Sequence, residues 1–111
     1  MQTMNDDILF ALEDVIDPEL GISVVDLGLV YRAVWSRQGI DVALTMTTPS
    51  CPWQRRLVRD AEQMLREHFR ETAIHVEVVW DPPWSPERIS ERGRRELGWL
   101  SIAKAKQASM L

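Results

Sequence analysis

The 111 residues include 13 basic and 17 acidic side chains, for a net charge of −4 and a pI near 5.1, and that length suits one domain around one core. A surface of this sign repels a nucleic-acid backbone, and the local run Arg88, Arg92, Arg94 and Arg95 is interleaved with Glu87, Glu91 and Glu96, so it reads as an ion-paired helix face. No stretch approaches transmembrane length, "MQTMNDDILF" is no secretory signal, and a lone Cys51 precludes an intrachain disulfide; the expectation is a cytoplasmic protein with neither nucleic-acid nor membrane partners.

In chain order, Asn5 or Asp6 caps a first helix in which Ile8, Leu12, Val15 and Ile16 recur at helical spacing. Pro18 forces the residue before it out of the helical region, so "DPEL" ends that helix. "SVVDLGLVYRAVWS" holds a strand over 29–36, with Gly28 before it and Asp26 at its entrance. "RQG" (37–39) reads as a three-residue hairpin connection. In the second strand Ile40, Val42, Leu44 and Met46 take the core face and Asp41, Ala43, Thr45 and Thr47 the other.

Leu57, Ala61, Met64 and Leu65 mark the apolar stripe of a helix over 52–70, with Pro52 in its first turn. A third strand covers 74–80. Ser85 and Pro86 open a last helix that runs to 97 and stops at Gly98, and 99–111 forms a tail or a short docked helix outside the domain of 1–98. The expected fold is α+β, helix-strand-strand-helix-strand-helix, with the helices packed on a small mixed sheet. Exposed sheet edges invite pairing with a second copy. Five tryptophans exceed what so small a core absorbs, which places some rings at an interface or groove rim.

"TTPSCPW" (47–53) sets Cys51 at the exit of a buried strand and the entrance of a helix, where free N–H groups and the helix dipole favour an anion, and Arg55 and Arg56 add positive charge. Two readings stay open on residues alone: a reactive or metal-binding thiol, or a small buried hydrophobe. His68 falls about 20 Å along the helix that begins beside Cys51, and His75 starts the next strand at that distant end, which argues against a cysteine hydrolase and a zinc site. Asp17, Glu19 and Asp26 precede the first strand. Asp26 lies across the hairpin from Cys51, either as its neighbour or as a turn residue bonded to its own backbone. "DPPWSP" is either a rigid turn that pins Trp84 over the core edge or, with Trp80, a docking surface for client proteins.

"DPELGISVVDLGLVY", "LTMTTPSCP" and "VVWDPPWSPERISERGRRELG" together resemble the SufT-like and PaaD-like family of small iron–sulfur cluster assembly domains, over about residues 7–98. The resemblance implies a compact α/β domain that acts in iron–sulfur protein maturation as an adaptor or carrier and not as an enzyme. Its partners would be the assembly machinery and client apo-proteins, and its cofactor a transient cluster or iron. It also implies that Cys51 is the functional thiol, that Asp26 is the DLG acid, that Thr47 and Thr48 line the same pocket, and that Asp17 and Glu19 form the DPE turn. The cysteine-rich extension of the PaaD branch and the nucleotide-binding loop of the carrier ATPases are both missing, so the SufT-like branch fits best. A cluster takes four protein ligands and one chain offers one thiolate, so the expectation is a homodimer whose two Cys51 thiolates share a metal. The alternative is an accessory interaction module of a phenylacetyl-CoA-type ring-oxygenating complex.

Overall fold

The computed structural model describes residues 4–98. The elements are α1 (Asp6–Leu12), β1 (Val30–Ser36), β2 (Gly39–Leu44), α2 (Gln54–His68), β3 (Ile74–Val78), a 3₁₀ turn (Pro86–Arg88) and α3 (Glu91–Leu97). The sheet order is β1-β2-β3, with β1 antiparallel and β3 parallel to β2. This is the small α+β domain with a mixed sheet that the order of elements predicts. The expected tail at 99–111 lies outside the described residues.

The Asn5 side chain accepts the Ile8 N–H at 3.0 Å, and Asp6 and Asp7 in the first turn favour the positive end of the α1 dipole. The helix closes at Leu12, before the "DPEL" stop. Val15 is buried all the same, because the chain doubles back and bonds Val24 N–H to Val15 O at 2.9 Å. Between β1 and β2, Ser36 pairs with Gly39, so the connection has two residues, Arg37 and Gln38, and not three. Gly39 belongs to β2. Its φ of 122° and the Ala73 carbonyl pressed against it leave no room for a Cβ.

α2 is the crossover that parallel β2 and β3 require. Its Leu57, Ala61 and Leu65 pack with Ile40, Val42 and Leu44 and with Ile8, Ala11 and Leu12 of α1. Each fully buried leucine or isoleucine contributes roughly 2 kcal/mol of transfer free energy. On the opposite sheet face Arg32 spans all three strands, bonding Asp41 at 2.9 Å and also Glu77. The Asp41 hydrogen bond, and then that of Glu77, hold the Arg32 guanidinium above its ordinary pKa. That face is not bare: Ala43 and Thr45 are 1% exposed. Tyr31, Val79, Pro82 and Arg88 lie beside Ala43, with the Arg88 guanidinium 4.7 Å from the Tyr31 ring centre.

The expected last helix is two elements. Ser85 makes no capping bond; the 3₁₀ turn ends at Arg88, and Ser90 caps α3 by accepting the Gly93 N–H at 3.0 Å. The break has a cause in the tertiary structure, since Ser90 N–H donates to Asp26 O at 2.7 Å, which a continuous helix would forbid. Trp84 lies against the core and donates its indole N–H to Leu27 O at 2.7 Å. Trp35 and Trp80 are 48% and 43% exposed.

Gly28 has φ 73° and faces the Arg88 carbonyl so closely that a Cβ would collide with backbone. Gly28→Ala therefore combines left-handed strain with displacement of the 3₁₀ turn. The expected loss is about 2 kcal/mol or more, read as a lower urea midpoint with an unchanged slope.

Candidate functional site

Because β2 and β3 are parallel, both end on the same side of the molecule, at Leu44 and Val78. There the chain leaves β2 for the Cys51 loop, leaves β3 for the Trp80–Trp84 segment, and enters α2. The loop before β1 reaches the same end. Thr45 N–H bonds Leu29 O at 2.8 Å, and Trp84 bonds Leu27 O. The carboxyl ends of parallel strands are where backbones diverge and leave a crevice in α/β sheets.

Cys51 is free and half-buried against the edge of the core. Its N–H donates to Thr48 O at 3.2 Å, and its carbonyl receives a long bond from Gln54 N–H at 3.4 Å. The turn from Thr48 to Cys51 thus leads into α2. That helix begins at Gln54, after Pro52, with Trp53 at its N-cap and no side-chain capping bond. The first-turn N–H groups are left without a side-chain acceptor, three residues beyond the thiol. Of the two nearby cations, Arg56 pairs with Asp60 at 3.8 Å and lies 5.9 Å from the Trp53 ring centre, while Arg55 is exposed.

Thr47 lines a groove of about 510 Å³ together with Thr45, Met46, Pro49, Trp80 and Trp84. Thr48 is exposed, its hydroxyl 3.4 Å from that of Ser50. Thr45, which the alternation of β2 sets on the far face, is buried with its hydroxyl oxygen unpartnered. Only the position of Thr45, one residue past the last ladder pair, hints at this.

The three acids serve different ends. Asp17 is buried and accepts the N–H groups of Glu19 at 2.8 Å and Leu20 at 3.0 Å, while Gly21 N–H bonds its carbonyl at 2.8 Å. It is the closure of the "DPELG" turn. Glu19 is exposed, and its carboxylate has no hydrogen bond or ion pair among the described residues, its backbone N–H alone being held by Asp17. Asp26 is 6% exposed, and both its oxygens are taken. One accepts Ser90 Oγ at 2.8 Å, and the other accepts Arg92 Nε at 2.9 Å and Nη2 at 2.8 Å. Among the described residues no hydrogen bond joins Asp26 to Cys51, so the expected pairing of the two gives way to a tie between the β1 loop and α3. The Asp26 hydrogen bond holds the Arg92 guanidinium above its ordinary pKa. Arg92 also reaches Glu13 beyond α1 at 3.6 Å. The interleaved arginines and glutamates predict a solvated, ion-paired face for Arg92. The i,i+4 contacts Arg92–Glu96 and Arg95–Glu91 fit that pattern, but the bond to Asp26 is tertiary and leaves no local signal.

His68 ends α2 and stacks edge-on to Phe10 at 6.3 Å, and His75 lies near the start of β3, both far from Cys51. Among the described residues no three His, Cys, Asp or Glu side chains group as metal ligands. The stretches 1–3 and 99–111 contain none of these residue types. No helix among the described residues is long and apolar enough to cross a membrane.

A family model described as "Iron-sulfur cluster assembly protein" matches residues 5–78. The chain belongs to this iron–sulfur cluster assembly family. It is 33% identical over 100 residues to the Fe-S protein maturation auxiliary factor YitW of Bacillus subtilis, covering 87% of this chain and 96% of that one. The auxiliary factor SufT of Staphylococcus aureus is 36% identical over 85 residues, covering 76% and 97%. A domain of unknown function, DUF59, from Bacillus anthracis superposes with a TM-score of 0.79 at 40% identity, covering 84% of this chain and 90% of that one. The family match thus takes in α1 through β3, including the Asp17 turn, Asp26 and the Cys51 loop, whereas α3, which anchors Asp26, falls beyond it.

Removing the Asp26 carboxylate strands Ser90 and Arg92 and releases α3 from the β1 loop. Asp26→Ala is expected to cost about 2 kcal/mol, at the lower end for charged hydrogen bonds because Arg92 is half exposed. Urea unfolding measures the loss. Hydrogen exchange should show the early loosening in α3 and the 3₁₀ turn and not in α2.

Proposed function

We propose that this protein is a non-enzymatic maturation factor for iron–sulfur proteins, in which Cys51 is the thiol that meets the cargo. The carrying observation is the placement of Cys51: half-exposed, at the carboxyl ends of the parallel strands, and just before an uncapped helix start. That setting leaves the sulfur within reach of cargo from outside, and a cysteine sulfur is the usual protein ligand of iron in clusters. Membership of the assembly family and the names of relatives that span most of the chain support the same role. They do not favour an accessory module of an oxygenase complex. Partners on this reading are the assembly machinery and client apo-proteins.

The other motif residues divide into frame and contact. Asp17 and Asp26 act as the frame, since their oxygens already hold backbone N–H groups, Ser90 and Arg92. Thr47, Thr48 and Glu19 are the polar groups still open to cargo or client. A cluster normally needs four protein ligands, and this chain supplies one thiolate, so the cargo is held briefly while other donors complete its shell. Such a protein passes a cluster on and does not store it.

Anaerobic reconstitution with ferrous iron, sulfide and a small thiol tests this reading. The wild-type protein should develop thiolate-to-iron absorbance, and Cys51→Ala and Cys51→Ser should not. Asp26→Asn should retain it once corrected for the folded fraction. Undiminished absorbance in Cys51→Ala would overturn the assignment.

A further inference from the structure

β3 is an edge strand that pairs only with β2. Two bonds bracket its ladder, Ile40 N–H to Ala73 O at 2.9 Å and Val79 N–H to Leu44 O at 2.8 Å. They fix its phase. His75 and Glu77 turn their backbone groups toward β2, so Ile74, Val76 and Val78 turn theirs outward. Among the described residues nothing bonds to those outward groups. The edge lies open as a groove of about 480 Å³ lined by Ile74, His75, Val76 and Glu77 with Arg32 and Glu62. Edge strands are usually blunted by proline, lysine or a bulge, and β3, IHVEV, has none of them.

We propose that a second copy of this chain pairs with this edge, antiparallel and centred on Val76. The strand complements itself under a twofold axis, as a second copy requires. With Val76 opposite Val76, Ile74 faces the other copy's Val78, and outward N–H groups meet outward carbonyls. His75 then faces the other copy's Glu77 twice, in the non-hydrogen-bonded pairs where opposed side chains come closest. Imidazole meets carboxylate. The neighbouring registers that keep the outward groups in phase lose this, since one sets His75 against His75 and the other sets Glu77 against Glu77. The same rotation brings Arg55 and Arg59, which flank Val78, toward the Glu62 that flanks the other copy's Ile74.

The arrangement has a consequence that, unlike the pairing itself, rests on the proposed role of Cys51. Cys51 follows the carboxyl ends of β2 and β3. An antiparallel β3–β3 junction puts those ends on opposite sides of the joined sheet, so the two thiols do not share a metal. Each copy then completes its cargo's ligand set from a client or from the assembly machinery.

The test is sedimentation velocity together with hydrogen exchange on the full chain. The wild type should dimerise, with the amides of Ile74, Val76 and Val78 gaining protection as concentration rises. The amides of His75 and Glu77, held by β2, should be protected at every concentration. His75→Glu sets carboxylate against carboxylate and should weaken the dimer about tenfold or more, and His75→Glu with Glu77→His should restore it. A wild type that stays monomeric, a dimer whose Ile74, Val76 and Val78 amides exchange freely, or a dimer indifferent to His75→Glu would each overturn the proposal. Cys51→Ala should dimerise normally, and His75→Glu should reconstitute as wild type does, so failure of the thiol's role and failure of the interface are read separately.

Discussion

The parallel pairing of β2 with β3 is the constraint on which the rest of the molecule depends. A parallel pair cannot be closed by a tight turn, so the chain must cross over, and here it does so through α2. The crossover covers one sheet face with Leu57, Ala61 and Leu65, and it obliges the helix to start at the carboxyl ends of both strands. The Cys51 loop is the short link between the end of β2 and that helix start. The thiol's position next to a helix start without a side-chain cap is therefore a product of topology and does not require a dedicated pocket.

A second set of contacts keeps that end of the sheet in order. Asp26 N-terminal to β1, Ser90 and Arg92 at α3, and Glu13 after α1 are joined through one carboxylate and one guanidinium. Gly28 lets the Arg88 backbone approach, and Trp84 fixes the segment after β3 to Leu27 O. The result ties α3, the segment after β3 and the loop before β1 to one another. An acid that would serve well as a metal ligand is spent on architecture, and its partners lie sixty-odd residues further along the chain.

That distance explains what the sequence could and could not tell. Periodicity located α1, α2 and all three strands, because each buries one face and its apolar spacing is a local property. Element ends were less legible. The hairpin loop is two residues long because Gly39 belongs to β2, where the Ala73 carbonyl packs against it and accepts the Ile40 N–H, and the last helix is broken because the Ser90 N–H donates to Asp26 O; neither contact lies within the segment concerned. Ala43 and Thr45 alternate onto the face away from the core, and the chain beyond β3 and the Tyr31–Arg88 contact cover it. The place of Cys51 between β2 and α2 was legible from its flanks. The division of labour among Asp17, Glu19 and Asp26 was not, because a carboxylate reads the same whether it caps a turn, anchors a helix or faces solvent.

Ligand arithmetic then sets how such a domain can work. If Cys51 meets the cargo as proposed, its one thiolate holds iron weakly, and a histidine or acid cluster that could strengthen the grip is missing among the described residues. For a store this would be a defect; for a relay it is a requirement, since a cargo bound by four ligands from one chain would leave slowly. On that proposal, exposed Thr48 and Ser50 and the half-exposed Trp80 beside Thr47 are the surface where a client would bring its own thiolates to the same metal. Exchange can then proceed ligand by ligand.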